Sequence, residues 1–236
     1  MDKKPGVTCV KCGKRVCQPA IKANEVSSTD EAPPFCPMKL FPQLIDKAAT
    51  EYDKPETREF ARLASVQEFE CYEWTEEGLR TRFPRIEELV QFANKCGYRK
   101  LGIAFCLGLW NEAWMLNDIL ENKGFEVISV CCKAGAIAKE KIGVKPEQKI
   151  AGPENWESMC SPIVQAEVIN IEEVDLAIML GLCIGHDTLF IKYCRVPMTV
   201  LAVKDRVTGH NPLAALYLSK SVYYGRLLAK GKKADV

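Results

Sequence analysis

The stretch that decides the fold is "VDLAIMLGLCIGHD", residues 174–187. From Leu176 to Leu182 no residue is polar, so neither face of this segment is written for water. A short run that is apolar on both faces and bounded by glycine and histidine is the mark of a buried strand in a parallel sheet. Three other segments share that character: "KLGIAFC" from 100, "FEVISVCC" from 125 and "MTVLAVKD" from 198. Between them lie helical patterns: "LWNEAWMLNDILENKG" closing on Gly124, "SPIVQAEVINIEE" after Cys160, and "DTLFIKYC" after His186. Alternation of this kind predicts a Rossmann-like α/β domain over 99–236, a parallel sheet with helices on both faces. A closing helix is expected in "PLAALYLSKSVYYGRLLAK", residues 212–230.

Upstream, residues 38–98 read as a helical segment packing on that core. "FPQLIDKAATEY", "ETREFARLASVQEFECYEW" and "RIEELVQFANKCGY" repeat apolar residues at three and four, and Gly97 is a natural C-terminal stop. Residues 1–37 have no hydrophobic period. They are rich in Lys, Pro, Ser and Cys, and form a small Cys-rich module that cannot fold by burial alone.

Charge narrows the function classes. The 32 basic and 31 acidic residues nearly cancel, and the one basic cluster is the short tail at Lys230, Lys232 and Lys233, so nucleic acid is not an expected partner. No segment is apolar for the roughly 18 residues of a membrane span and no signal sequence opens the chain, which predicts a cytoplasmic protein. Neither GxGxxG nor a Walker loop follows the first strand, only "CLGLWNEA", so a dinucleotide site is disfavoured.

Twelve cysteines in a reducing compartment point to metal binding or thiol chemistry. Cys71, Cys96 and Cys194 read as apolar fillers. Cys106, the pair Cys131 and Cys132, and Cys183 end three successive strands, and strand ends of a parallel sheet share one edge, where open α/β folds bind ligands. Cys160 precedes a helix whose N-terminus points to the same edge, with Pro162 suited to its first turn. Successive strand residues face opposite ways, so either Cys131 or Cys132 belongs to the set, and Cys132, followed by Lys133, is preferred. Cys106, Cys132, Cys160 and Cys183 are therefore expected to bind a cofactor. These ligands are each more than twenty residues from the next, which suits an iron-sulfur cluster of [4Fe-4S] type better than a zinc site built from close pairs. Both histidines, His186 and His210, fall in loops at that edge beside Lys204, Asp205 and Arg206; His186, Lys204 and His210 are candidates for proton transfer or anion binding. Asp187 is placed to cap the following helix, and Glu112 is an ordinary helix-surface carboxylate.

A second set, Cys9, Cys12, Cys17 and Cys36, opens with the CxxCG turn "CVKCG" and closes with Cys-Pro. It predicts a metal staple of zinc or a second iron-sulfur cluster.

The motifs "GYRKLGIAFCLGLWNEA", "CCKAG", "CSPIVQAEVIN", "GLCIGHD" and "VKDRVTGHNPLAALY" together resemble the cysteine-rich metal-binding proteins of domain of unknown function 1847, found in anaerobic bacteria and archaea. The resemblance implies metal binding, matches Cys106, Cys132, Cys160 and Cys183 together with His186, Asp187 and His210 to motif positions, supports Cys132 over Cys131, and implies an anaerobic setting in which oxygen-sensitive clusters persist. The function expected from residues and resemblance together is electron transfer, or redox chemistry on sulfur or a small molecule, with a redox partner or a small-molecule substrate. The competing expectation is a zinc-stabilised ligand-binding or regulatory module without turnover.

Overall fold

The structure is a computed structural model that describes residues 6–18 and 28–229. The basic tail at Lys230, Lys232 and Lys233 lies outside the described residues. The chain divides into two units between Phe69 and Glu70.

In the first unit, helices α1 (Pro37–Leu40), α2 (Pro42–Ala49) and most of α3 (Pro55–Glu70) follow two single-turn helices. A small apolar cluster is formed by Val16, Ala32 and Cys36, with Met38 packed against it. Leu44, Ile45, Phe60 and Phe69 are exposed.

The second unit opens with a departure from the sequence expectation. "CYEW" does not continue the helix; Tyr72–Thr75 (β1) and Gly78–Thr81 (β2) form an antiparallel hairpin in register Tyr72↔Thr81. Tyr72, Trp74 and Thr75 favour extended backbone, and Gly78, at φ 117°, supplies a turn conformation that other residues adopt only with strain. Helix α4 (Arg85–Lys95) then buries Leu89, Val90 and Ala93 on the core, and Gly97 at φ 71° ends it in the left-handed region, as expected.

The core is a four-stranded, fully parallel sheet of β3 (Lys100–Phe105), β4 (Glu126–Cys131), β5 (Leu176–Leu182) and β6 (Met198–Val203), in the order β4-β3-β5-β6. All seven residues of β5 are buried, the reason its sequence is apolar without alternation. Helix α5 (Trp110–Asn122) joins β3 to β4, α6 (Pro162–Ile171) joins β4 to β5, and α7 (His186–Tyr193) joins β5 to β6. Side-chain alternation along β3 puts helices on both faces. A Cβ on Gly102 would lie 3.2 Å from Ile169 of α6, whereas Phe105, three positions on, stacks edge-on with Trp110 of α5 at 5.4 Å. α6 and α7 pack together.

The expected closing helix is cut short: α8 spans Leu213–Tyr217 and is followed by turns and a 3-10 turn at Gly225–Leu228. Leu213, Leu216, Tyr217, Val222 and Tyr223 are exposed, so the segment has no buried apolar face to sustain a longer helix. No helix of the described residues is long and apolar enough to cross a membrane.

Candidate thiol site at the C-terminal edge of the sheet

The ends of β3 and β4 are level. Phe105 pairs with Cys131, and Cys132 N–H donates to the Phe105 carbonyl at 2.9 Å, so Cys106 and Cys132 leave adjacent strands side by side. Neighbouring strands are about 4.8 Å apart, close enough for the two sulfurs to meet. Cys160 is brought to them by the excursion between β4 and α6. That segment contains only two 3-10 turns, Lys139–Ile142 and Pro146–Gln148, yet it is tied down at both ends. Ser161 N–H donates to the Cys132 carbonyl at 2.7 Å, Met159 N–H to the Ile137 carbonyl at 2.7 Å, and Lys133 Nζ to the Ser158 carbonyl at 2.5 Å. An ion pair between the largely buried Lys139 and Glu157 at 2.8 Å closes the middle.

Three thiols result in one constellation, with Cys132 in the centre and within hydrogen-bonding reach of both Cys106 and Cys160. The two flanking sulfurs favour the thiolate. The hydrogen bond with Cys132 draws the Cys106 thiol down to about 5 against the opposing effect of burial, with further help from the Gly108 N–H and the Lys204 ammonium. Cys160 is drawn down to about 6, first by Cys132 and then, against burial, by the charges of Lys133 and His186. Cys132 is pushed up by the two flanking sulfurs and by burial, so it keeps its proton between them. The turn after Cys106 aims backbone donors at the same sulfurs: Leu107 N–H reaches Cys132 Sγ at 3.3 Å, and Gly108 N–H serves Cys106. A Cβ on Gly108 would stand 3.3 Å from Lys204 Nζ, which places the ammonium beside this turn. Among the described residues, no group of three or more His, Cys, Asp or Glu side chains forms a ready cage for a single metal ion.

Of the two cysteines that end β4, Cys132 is the one that joins the trio. Cys131 faces the other way and lines a cavity of about 310 Å³ with Phe105, Trp110, Ala113, Trp114, Asn117 and Ser129. Cys183, at the end of β5, accepts a hydrogen bond at its sulfur from Arg206 Nη2 at 3.0 Å. The pairing of β5 with β6 is irregular between Met179 and Leu182, where Gly181 is left-handed at φ 67°, and it regains its register at Leu182 opposite Val203. Lys204 N–H then bonds the Leu182 carbonyl at 3.1 Å.

Lys204 reaches Cys106 and His186 lies near Cys160. His210 is held in the left-handed region at φ 67°, with Nδ1 accepting from Asp205 N–H at 3.1 Å, which leaves only Nε2 for any other partner. Asp205 is fixed in turn by Val207 and Thr208 N–H groups at 2.9 and 3.0 Å. Asp187 does not cap α7; Gly185 occupies that position, and Asp187 accepts from Thr188 N–H at 2.7 Å inside the first turn. Glu112 is exposed on α5. Cys71 is buried, and burial pushes up the Cys194 thiol.

Sequence reasoning passed over Gln165. This fully buried side chain of α6 donates to the carbonyls of Phe105 and Val130, at 3.0 and 2.7 Å, and so clamps together the two strand ends that carry Cys106 and Cys132. Its signal was a lone glutamine on the apolar face of "SPIVQAEVIN".

In the first unit, Cys9 and Cys17 are exposed, Cys12 is half-buried and Cys36 is buried. Cys9–Lys11 forms a 3-10 turn closed by Cys12 N–H on the Cys9 carbonyl, and Arg15 N–H donates to Cys12 Sγ at 3.3 Å.

Comparison with known proteins adds a family. An uncharacterized protein of Methanocaldococcus jannaschii is 43% identical over 189 residues, covering 80% of this chain and 90% of its own. The profile of a family described as proteins of unknown function, DUF1847, matches residues 36–201, a span that includes Cys36, Cys106, Cys132, Cys160, Cys183 and His186. The chain belongs to that family.

Proposed function

We propose that this protein is a metal-thiolate protein that holds an iron-sulfur cluster of [4Fe-4S] type at the C-terminal edge of its sheet, for electron transfer or for redox chemistry on sulfur or a small molecule. The observation that carries this reading is the convergence of Cys106, Cys132 and Cys160, from two strand ends and a helix start, with Cys132 at hydrogen-bonding reach of each of the other two. The donor set fits such a group. Three soft ligands lie together, two already inclined to the thiolate form that binds metal, and backbone N–H groups with Lys204 and Lys133 offset the negative charge of a thiolate cluster. A cluster would supply one-electron redox capacity there. The polypeptide supplies the ligands, the hydrogen bonds that tune their sulfurs and, through Gln165 and the Ser161 bond, their fixed spacing.

The strand order supports a Rossmann-like reading of the domain, because the direction of winding reverses between β3 and β5, beside Cys106. That reversal is where doubly wound folds place their ligands. A reducing, cytoplasmic compartment suits such a site.

For the N-terminal residues the reading is a metal staple, zinc or a second cluster, on Cys9, Cys12, Cys17 and Cys36. The tight Cys9–Lys11 turn and the Arg15 N–H on Cys12 favour it, as does an apolar cluster too small to order that segment alone.

Anaerobic purification, iron, sulfide and zinc analysis, and a visible spectrum test the reading. Bound iron with charge-transfer absorption, abolished by Cys132→Ser and retained in Cys9→Ser, is the expected outcome. A colourless protein with stoichiometric zinc on the core cysteines refutes it in favour of a zinc-stabilised binding module.

A further inference from the structure

We infer that the cavity between α5 and β4 is a binding site for the planar ring of a neutral nitrogen heteroaromatic compound, the chemistry shared by a nucleobase, a pterin and a flavin. The inference goes beyond the metal-thiolate reading and does not depend on it.

The cavity follows from residue size. Trp110, Ala113, Trp114 and Asn117 make one stripe of α5 at spacings of three and four, and Ser129 and Cys131, alternate residues of β4, share the face that meets it. Alanine, serine and cysteine are too small to fill the space between a helix and a sheet, where interiors are otherwise close-packed. An open volume of about 310 Å³ is left. That is the lower end of the range for small-molecule sites and suits one ring system.

The walls select a flat guest. Phe105 and Trp110 hold each other edge-on at 5.4 Å and 72°, which fixes one side of the cavity. Trp110 and Trp114 remain 55 and 64% exposed, so most of each indole is free to stack on a ring. The polar groups narrow the class further. None of the described lining side chains is charged, so an ion buried there would meet no compensating partner. Among the described residues, the Asn117 carboxamide and the Ser129 hydroxyl have no side-chain hydrogen bond. A hydrocarbon guest would leave both unpaired. A carboxamide offers a donor and an acceptor in one plane, and a heteroaromatic edge carrying both is its complement, as in the pairing of asparagine with adenine.

Phe105 and Cys131 directly precede Cys106 and Cys132, and successive strand residues face opposite ways. The cavity and the thiol trio therefore share two strand ends on opposite faces of the sheet, and each can be tested without the other.

The test uses the full chain, reduced and metal-free, titrated calorimetrically with adenosine, pterin and riboflavin, and with naphthalene as a flat ring without a polar edge. At least one heterocycle is expected to bind at one site per chain and more tightly than naphthalene, and the one preferred identifies the source. Trp114→Ala is expected to weaken it by about 5- to 100-fold. Asn117→Ala should weaken the heterocycle by about 2- to 10-fold and leave naphthalene unchanged. Ser129→Ile, which fills the cavity, should abolish binding while the far-ultraviolet circular dichroism and the urea midpoint stay as in wild type. The inference is overturned if no heterocycle binds, if naphthalene binds as tightly as the best of them, or if binding survives Ser129→Ile. A chain that takes up no iron removes the metal-thiolate reading and leaves these titrations unaffected.

Discussion

Replacing Gly181 by alanine tests whether the bulge in β5 is a built feature of the site. Two costs add. A non-glycine residue in the left-handed region costs about 1–2 kcal/mol, and Gly181 sits there at φ 67°. The new Cβ would also stand 2.8 Å from both Cδ atoms of Leu109, a core residue that is 2% exposed and cannot swing into solvent. Overpacking of this kind costs about 1–3 kcal/mol. Against these, the alanine restricts the unfolded chain and returns about 0.4–1 kcal/mol, which leaves a net loss of about 1–4.5 kcal/mol. All four tryptophans, at 74, 110, 114 and 156, lie in the second unit, so their fluorescence in urea follows that unit alone. With a slope of about 2 kcal/mol per molar urea, the midpoint should fall by about 0.5–2 M at unchanged slope. A double-mutant cycle separates the terms. Leu109→Ala alone should cost about 2–5 kcal/mol, but in the Gly181→Ala background it also removes the clash, so the two should fall short of additivity by about 1–3 kcal/mol. Because Leu109 N–H closes the turn onto the Cys106 carbonyl at 2.8 Å, Gly181→Ala should also lower iron retention. A Gly181→Ala protein within about 0.5 kcal/mol of wild type, or strict additivity with Leu109→Ala, refutes the argument.

Gln165→Glu keeps the shape of the clamp but replaces its two donated bonds with oxygens facing the Phe105 and Val130 carbonyls, so the loss at pH 7 should be at least about 3 kcal/mol by the same urea titration. Burial raises the carboxyl of the new glutamate in the folded state, so the defect should shrink as pH falls and the group protonates; a defect that grows on acidification contradicts this. Asp205 runs in the usual carboxylate direction. Backbone N–H donation from Thr208 and Val207 holds it below its unfolded range, so its contribution is complete above about pH 4 and disappears as pH falls through the folded value. The stability gap between wild type and Asp205→Asn should therefore narrow from pH 7 to pH 3, and a gap of constant size would show that the carboxylate charge is not what matters. In metal-free, reduced protein, Cys106 and Cys160 should be the first thiols alkylated by iodoacetamide at pH 7, with Lys204→Met slowing Cys106 alone, as mapped by peptide mass spectrometry. Equal rates at Cys106 and Cys194 would contradict that ordering.

The sheet was legible because burial on both faces writes itself into sequence. All four strands fall where "KLGIAF", "EVISVC", "LAIMLGL" and "MTVLAV" are apolar, and the helices between them repeat at three and four. The elements that sequence misplaced lack that constraint. "CYEW" is largely exposed in its hairpin, so its strand character comes from Tyr, Trp and Thr propensities and the Gly78 turn, a weaker signal than the helical period running into it. The segment after Tyr217 has the composition of a helix but buries no face. The stretch between Lys133 and Met159 is held by ion pairs such as Lys139–Glu157 and by side-chain bonds to the backbone such as Lys133 Nζ on the Ser158 carbonyl, which have no periodicity to read.

At the site, alternation and the shared strand edge were enough to bring Cys106 to Cys132, because Phe105 pairs with Cys131 without irregularity and the register carries over to the next residue on each strand. For Cys183 the count is less direct: the β5–β6 ladder is irregular between Met179 and Leu182, where Leu180 pairs with Ala202, before Leu182 regains the original register opposite Val203. A glycine inside an otherwise bulky apolar strand is the sequence mark of such a bulge, and here the close approach of Leu109 shows why no other residue fits. Past Leu182 the chain turns through Gly185 into α7, and the sulfur of Cys183 meets Arg206 from the loop that follows β6. Alternation along β5 places Cys183 at the edge of the sheet but has no means to register a partner that arrives from another loop, because that contact depends on the path of the chain after β6 and not on any period within β5.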